Sequence, residues 1–122
     1  MIKSWDNICN FYEQFQDKNN VFKNMFNLVT SIKNSKYSNY IYGWTSMYEL
    51  YIVQTKVEYP YDGPRLLISP LENNKLEFRY IDTYCINRQW KRIFNADEGF
   101  LKLESFFFSI HWFYPNFTND NS

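Results

Sequence analysis

The hydrophobic period of this chain changes twice, from helical to alternating near residue 47 and back to helical near residue 95. That order limits the possible folds more than any motif in the chain. Trp5, Ile8, Cys9, Tyr12 and Phe15 recur at helical steps behind Ser4, whose hydroxyl is placed to accept the first free backbone N–H groups. A helix over 5–16 is expected. The polar run Asp17-Lys18-Asn19-Asn20 interrupts it, and Phe22, Met25, Phe26, Val29 and Ile32 resume the spacing with Asn20 as a cap. This predicts a second helix over 21–33, after which residues 37–43 read as a connection.

From Met47 the pattern is that of strands. Tyr48 to Thr55 is rich in aromatic and β-branched residues, and the prolines and Asp-Gly of residues 59–64 mark a loop with a positive φ expected at Gly63. Leu66-Leu67-Ile68 predicts a short second strand stopped by Pro70. Asn73-Asn74 suits a tight turn, and Leu76, Phe78 and Tyr80 then alternate with Glu77 and Arg79 as a half-buried third strand. Arg88 to Phe94 is the fourth. Asn95 and Glu98 resemble a capping box opening a helix over 96–114, with Phe100, Leu103, Phe107, Ile110 and Tyr114 on one stripe and Pro115 as its stop.

The strand connections are too short for parallel crossovers, so the expected class is α+β. Two N-terminal helices, a four-stranded antiparallel meander and a C-terminal helix give the order ααββββα in a single domain over 1–122, with 116–122 a frayed tail. The expected core is Phe26, Val29, Leu50, Ile52, Leu67, Phe78, Phe100, Leu103, Phe107 and Ile110.

Composition excludes several functions. The 12 Phe, 11 Tyr and 4 Trp carry enough apolar area to rule out a disordered chain. Thirteen basic residues balance thirteen acidic ones, so no net charge argues for nucleic acid, a polyacidic mimic or a membrane-surface helix. Cys9 and Cys85 form no CxxC and accompany no histidine cluster, which predicts neither a disulfide framework nor a metal site and fits a reducing cytoplasm. The first residues lack the regions of a signal peptide, no apolar run approaches the length of a membrane span, and Asn116-Phe117-Thr118 reads as a chance sequon.

Residues suited to catalysis are few. His111, the single histidine, sits in an aromatic helix end and is assigned a structural or helix-dipole role rather than a catalytic one. Glu77, Arg79, Asp82, Arg88 and Arg92 form the densest ionisable group and read as charge pairs on a wet sheet face. Glu77 and Asp82 are five apart and would point to opposite faces, which argues against a glycosidase pair. The arginines lie near Phe78, Tyr80 and Trp90, but no RNP-like signature supports RNA stacking. Three glycines supply no phosphate loop or nucleophile elbow, so no cofactor is expected. Gly43-Trp44-Thr45-Ser46-Met47 reads as a turn cap with the indole over the core edge.

Four segments together are similar to a group of small bacterial proteins: Gly43 to Met47, Leu76 to Thr83, Arg88 to Arg92, and Phe100 to Phe113 ending in His-Trp-Phe. Over residues 40–113 the chain resembles the immunity proteins of polymorphic toxin and contact-dependent inhibition systems. The resemblance implies a non-enzymatic cytoplasmic protein that binds one cognate toxin domain and blocks it. The neutral charge departs from the acidity common among nuclease inhibitors of this kind. The expected partner surface is Trp44, Arg79, Asp82, Trp90 and Arg92, since Trp and Arg carry much of the energy of desolvated interfaces. A self-associating or adaptor module, an RNA-binding protein and a small enzyme are the other readings.

Overall fold

The structure is a computed structural model and describes residues 1–110 and residue 112. Helix α1 spans Trp5–Glu13 and α2 spans Asn20–Lys33. Five strands follow: β1 (Tyr42–Ser46), β2 (Glu49–Val53), β3 (Arg65–Leu71), β4 (Lys75–Ile81) and β5 (Trp90–Asn95). Helix α3 spans Gly99–Ser109. The strands form one antiparallel sheet in the order β1-β2-β3-β4-β5. The α+β class and the meander are as expected from the sequence. The strand count is not, because the stretch read as a connection and turn cap is itself the edge strand β1.

The caps explain where the helices begin. Ser4 Oγ accepts from Asn7 N–H at 3.1 Å, as expected. At α2 the cap is Asn19 rather than Asn20, with its Oδ1 accepting from Val21 N–H at 3.1 Å. The Asn95 side chain makes no cap hydrogen bond to the backbone; it approaches Lys75 and Glu98, and a 3₁₀ turn over Ala96–Glu98 precedes α3. The structure ends α3 at Ser109. His111, Tyr114, Pro115 and the tail, on which expectations were placed, lie outside the described residues.

Strand β1 is missing from the sequence pattern because its turn uses unfavourable residues. Met47 and Tyr48, at φ 51° and 72°, form the two-residue link between Ser46 and Glu49. Left-handed backbone suits Asn or Gly in such a link and costs a bulky residue about 1–2 kcal/mol. Tertiary contacts offset that cost. Tyr12 Oη donates to the Tyr48 carbonyl at 2.9 Å, and the Tyr48 ring meets Phe22, Phe15 and Phe11 at centroid distances of 5.0, 5.5 and 6.0 Å. The next hairpin uses the expected chemistry, with Asn73 and Asn74 at φ 62° and 57°.

Two further expectations are corrected. Pro70 does not stop β3, which continues to Leu71 with Pro70 opposite Leu76. The last β2–β3 pair is Leu50↔Ile68, so the missing proline donor falls beyond the end of that ladder. Gly63 has no positive φ. It is small because the Tyr61 ring lies over it, with Tyr61 Oη donating to the Pro64 carbonyl at 2.9 Å.

All three helices cover the same face of the sheet. Leu50, Ile52, Leu66, Ile68, Leu76, Phe78 and Tyr80 join Ile8, Tyr12, Met25, Val29, Ile32, Leu103 and Phe107 in one buried cluster. The close approach of α1 to β1 depends on Gly43, where a Cβ would stand 2.9 Å from the Tyr51 carbonyl and 3.0 Å from the Trp5 ring. Every expected core residue is buried or half-buried, with Phe26, Phe100 and Ile110 at the margin. Leu67 is buried on the other face.

Candidate functional site

The other sheet face carries no helix among the described residues, and the register defines what it presents. Trp44↔Tyr51, Tyr51↔Leu67, Leu67↔Arg79 and Arg79↔Lys91 place one residue of every strand in a single row across this open face. The row is aromatic at the β1 end and cationic at the β5 end. The Trp44 and Tyr51 rings stack with centroids 5.1 Å apart and an interplanar angle of 2°. Arg79 pairs at 3.2 Å with Glu77 on its own strand while its side chain stays 46% exposed. A neighbouring row carries Glu49, Ser69, Glu77 and Ile93, with the Ser69 hydroxyl donating to the Glu49 carboxylate.

The five residues expected to form one surface are divided among three places. Trp44 and Arg79 lie on the open face. Trp90 and Arg92 face the helix side, because Tyr80↔Trp90 and Phe78↔Arg92 put them on the face of those buried partners. There the Trp90 ring packs on Tyr80 and Phe106 at 6.4 and 5.6 Å, and the Arg92 guanidinium sits 5.4 Å over the indole. The physical reason is parity: Arg79 pairs with Lys91, and both neighbours of Lys91 along β5 point to the opposite face.

Asp82 belongs to neither surface. It is buried just past the end of β4, where its Oδ1 accepts from Tyr84 and Cys85 N–H at 3.0 Å each and its Oδ2 from Tyr80 Oη at 3.3 Å. Gln89 Oε1 accepts from Asp82 N–H at 3.0 Å. Asp82 thus organises the loop into β5, including the 3₁₀ turn Ile86–Arg88. Burial, then the Asp82 charge, push the Tyr80 hydroxyl up to about 12. Replacing Asp82 with Ala should cost about 2 to 3 kcal/mol, since two N–H groups and a hydroxyl lose a charged acceptor. Urea denaturation measures this, and an unchanged midpoint would show that water replaces the carboxylate there.

Among the described residues the charge pairs expected between neighbouring strands reduce to the Glu77–Arg79 pair within β4. Of the three aromatics near the arginines, Phe78 and Tyr80 are buried, and Trp90 is half-buried against Tyr80 and Phe106, so they form no exposed stacking row. Cys9 is buried and Cys85 exposed, both free, and burial raises the Cys9 thiol. Among the described residues no three His, Cys, Asp or Glu side chains converge on a possible metal site. No described helix is long and apolar enough to cross a membrane.

Sequence reading missed two features. One is a cleft of about 480 Å³ between α2 and the β3–β4 turn, lined by Asn24, Asn27, Asn73, Asn74 and Asn95, with Asn24 Nδ2 donating to Asn74 Oδ1 at 3.2 Å. The chain's 15 asparagines are the available signal, but only the packing of α2 beside the β3–β4 turn and the end of β5 brings these five together. The other is Tyr51, the stacking partner of Trp44, hidden in a strand read as apolar on both faces. Compared with known protein families, curated proteins and solved structures, the chain finds no match.

Proposed function

We infer that this protein is a non-enzymatic cytoplasmic immunity protein whose open sheet face binds a cognate toxin domain. The observation that supports this most is the Trp44–Tyr51–Leu67–Arg79–Lys91 row, aromatic at one end and cationic at the other, on a sheet face with no helix over it among the described residues. A broad face with a stacked aromatic pair and an exposed arginine suits a protein surface. The aromatic end offers rigid apolar area, and the Arg79–Glu77 pair offers directional polar contacts at its edge. The anchors retained from the sequence are Trp44 and Arg79; Tyr51 joins them, and Asp82 serves the fold instead.

Co-expression with the toxin domain encoded beside this chain tests the reading. Wild type should bind and protect, and Trp44→Ala or Arg79→Ala should weaken binding by at least about 2 kcal/mol, roughly thirtyfold in Kd. Calorimetry on folded variants reads this directly. Failure of the wild type to bind or protect would reject the immunity function. Protection with both variants at full affinity would reject only this face.

A further inference from the structure

We propose that the outer edge of β5, with the groove between β5 and α3, takes an extended acidic segment of a partner protein as an added strand. This inference does not need the toxin reading: it rests on the backbone edge of β5 and the helix-side groove, shares only Lys91 and Ile93 with the open face, and its test needs no toxin.

The strand order leaves β5 at one edge of the sheet. The opposite edge, β1, is partly closed by Lys3, whose N–H donates to the Gly43 carbonyl at 2.9 Å. No described segment plays that part at β5. Ala96 N–H donates to the Asn74 carbonyl at 2.8 Å, which fixes the phase of the ladder. Hydrogen-bonded pairs alternate in an antiparallel sheet, so Phe94, Arg92 and Trp90 bond inward to β4. The N–H and C=O groups of Lys91 and Ile93 and the N–H of Asn95 therefore point outward, while the Asn95 carbonyl opens the 3₁₀ turn over Ala96–Glu98. The strand has no proline and keeps a one-to-one register with β4, so neither a proline nor a bulge blunts this edge.

Charge selects the occupant. Strand β5 carries Lys91 and Arg92 and no acidic residue. Beside it lies a groove of about 310 Å³ lined by Trp90, Phe94 and Phe106, with Arg92 and Lys102 among its walls. The Lys102 ammonium lies 5.3 Å over the Phe94 ring, 3.9 Å from a Glu98 oxygen. Arg92 has no carboxylate within ion-pair distance among the described residues. A second copy pairing edge to edge would set cations against cations with no acid on either strand, which is unfavourable. The same residues that oppose self-pairing favour an acidic strand, whose backbone would meet the outward groups of Lys91, Ile93 and Asn95. Its side chains on the helix side would meet Arg92, Lys102 and the aromatic floor, and those on the other side Lys91 and the 56%-exposed Ile93. Alternating acidic and apolar residues fit both sides.

The probe is a capped eight-residue peptide alternating glutamate and valine, titrated into the full chain at low salt and followed by amide hydrogen exchange. The amides of Lys91, Ile93 and Asn95 should exchange rapidly in the free protein and at least tenfold more slowly when saturated, with Trp90, Arg92 and Phe94 unchanged. Arg92→Glu combined with Lys102→Glu should weaken binding at least tenfold. Ile93→Pro, which removes an outward donor and no ladder bond, should abolish it; if that variant misfolds, the charge reversal decides. The proposal is overturned by no binding at millimolar peptide, by equal affinity for a lysine–valine peptide, or by charge reversal without effect. A concentration-dependent dimer lost in Ile93→Pro would also overturn it, assigning the edge to a second copy.

Discussion

Replacing Phe107 with Ala should destabilise the protein by about 3 to 5 kcal/mol, the range for removing a fully buried phenylalanine. Phe107 is completely buried, with ring centroids of Tyr37, Trp112 and Phe106 at 5.1, 5.8 and 6.0 Å. Those neighbours are themselves tied down. Tyr37 Oη donates to Glu104 Oε2 at 2.9 Å, and Gln54 Nε2 donates to the Trp112 carbonyl at 2.9 Å. The site can collapse little, so the cavity term adds to the lost transfer energy. Against a total stability of about 5 to 15 kcal/mol, this is a large loss. Leu101→Ala, on the 62%-exposed side of the same helix, should change stability by less than about 0.5 kcal/mol. Urea midpoints with equal slopes measure both. Equal losses at the two positions would show that α3 does not pack through the Phe107 face.

The same helix illustrates how far the sequence could be read. Steps of three and four placed Leu103 and Phe107 on the buried side correctly, because burial of a stripe depends only on local spacing. Strand β1 depends on something nonlocal. Its turn residues, Met47 and Tyr48, give no turn signal, and their left-handed backbone is supported by Tyr12 and by rings from α1 and α2. Ser4 could be recognised as a cap for the same local reason that Phe107 could be recognised as core. The site was harder still. Whether Arg79 shares a face with Arg92 depends on pairing between two strands, and a slip of one residue reverses the answer. Asp82 reads in the sequence as a charged residue near arginines, but its carboxylate accepts from two backbone amides and the Tyr80 hydroxyl, which composition does not reveal. Trp44 and Arg79 stand out by residue type alone, and only the register joins them through Tyr51 and Leu67, which no local pattern connects.

Stability should fall steeply in alkali, because three buried tyrosines hold their protons in the folded state. Tyr12 Oη donates to the Tyr48 carbonyl, Tyr37 Oη to Glu104 and Tyr80 Oη to Asp82. Ionising any of them would place a new charge in a buried site and break a hydrogen bond; for Tyr37 and Tyr80 that charge would also face a carboxylate. Burial is the leading cause in each case, and all three hydroxyls titrate higher than an exposed tyrosine, Tyr80 at about 12. The sign follows from linkage. A folded value above the unfolded value of about 10 gives a contribution that is complete below pH 10 and lost as the pH rises through the folded value. Above pH 10 the unfolded chain releases up to three more protons than the native one, each worth about 1.4 kcal/mol per pH unit. Integrated over the two pH units above 10, the loss is about 2 kcal/mol for Tyr80, and Tyr12 and Tyr37 add to it in the same direction, which makes a large part of the stability of many domains. Urea midpoints should therefore show no loss from these groups between pH 8 and 9 and fall sharply above 10, and Tyr37→Phe should remove about a third of the slope. A midpoint at pH 11 equal to that at pH 8 would mean that these hydroxyls ionise in the folded chain as readily as in the unfolded one. The cluster joining α1, the β1–β2 turn and α3 would then be open to water, and the support assigned to the Met47–Tyr48 turn would fail with it.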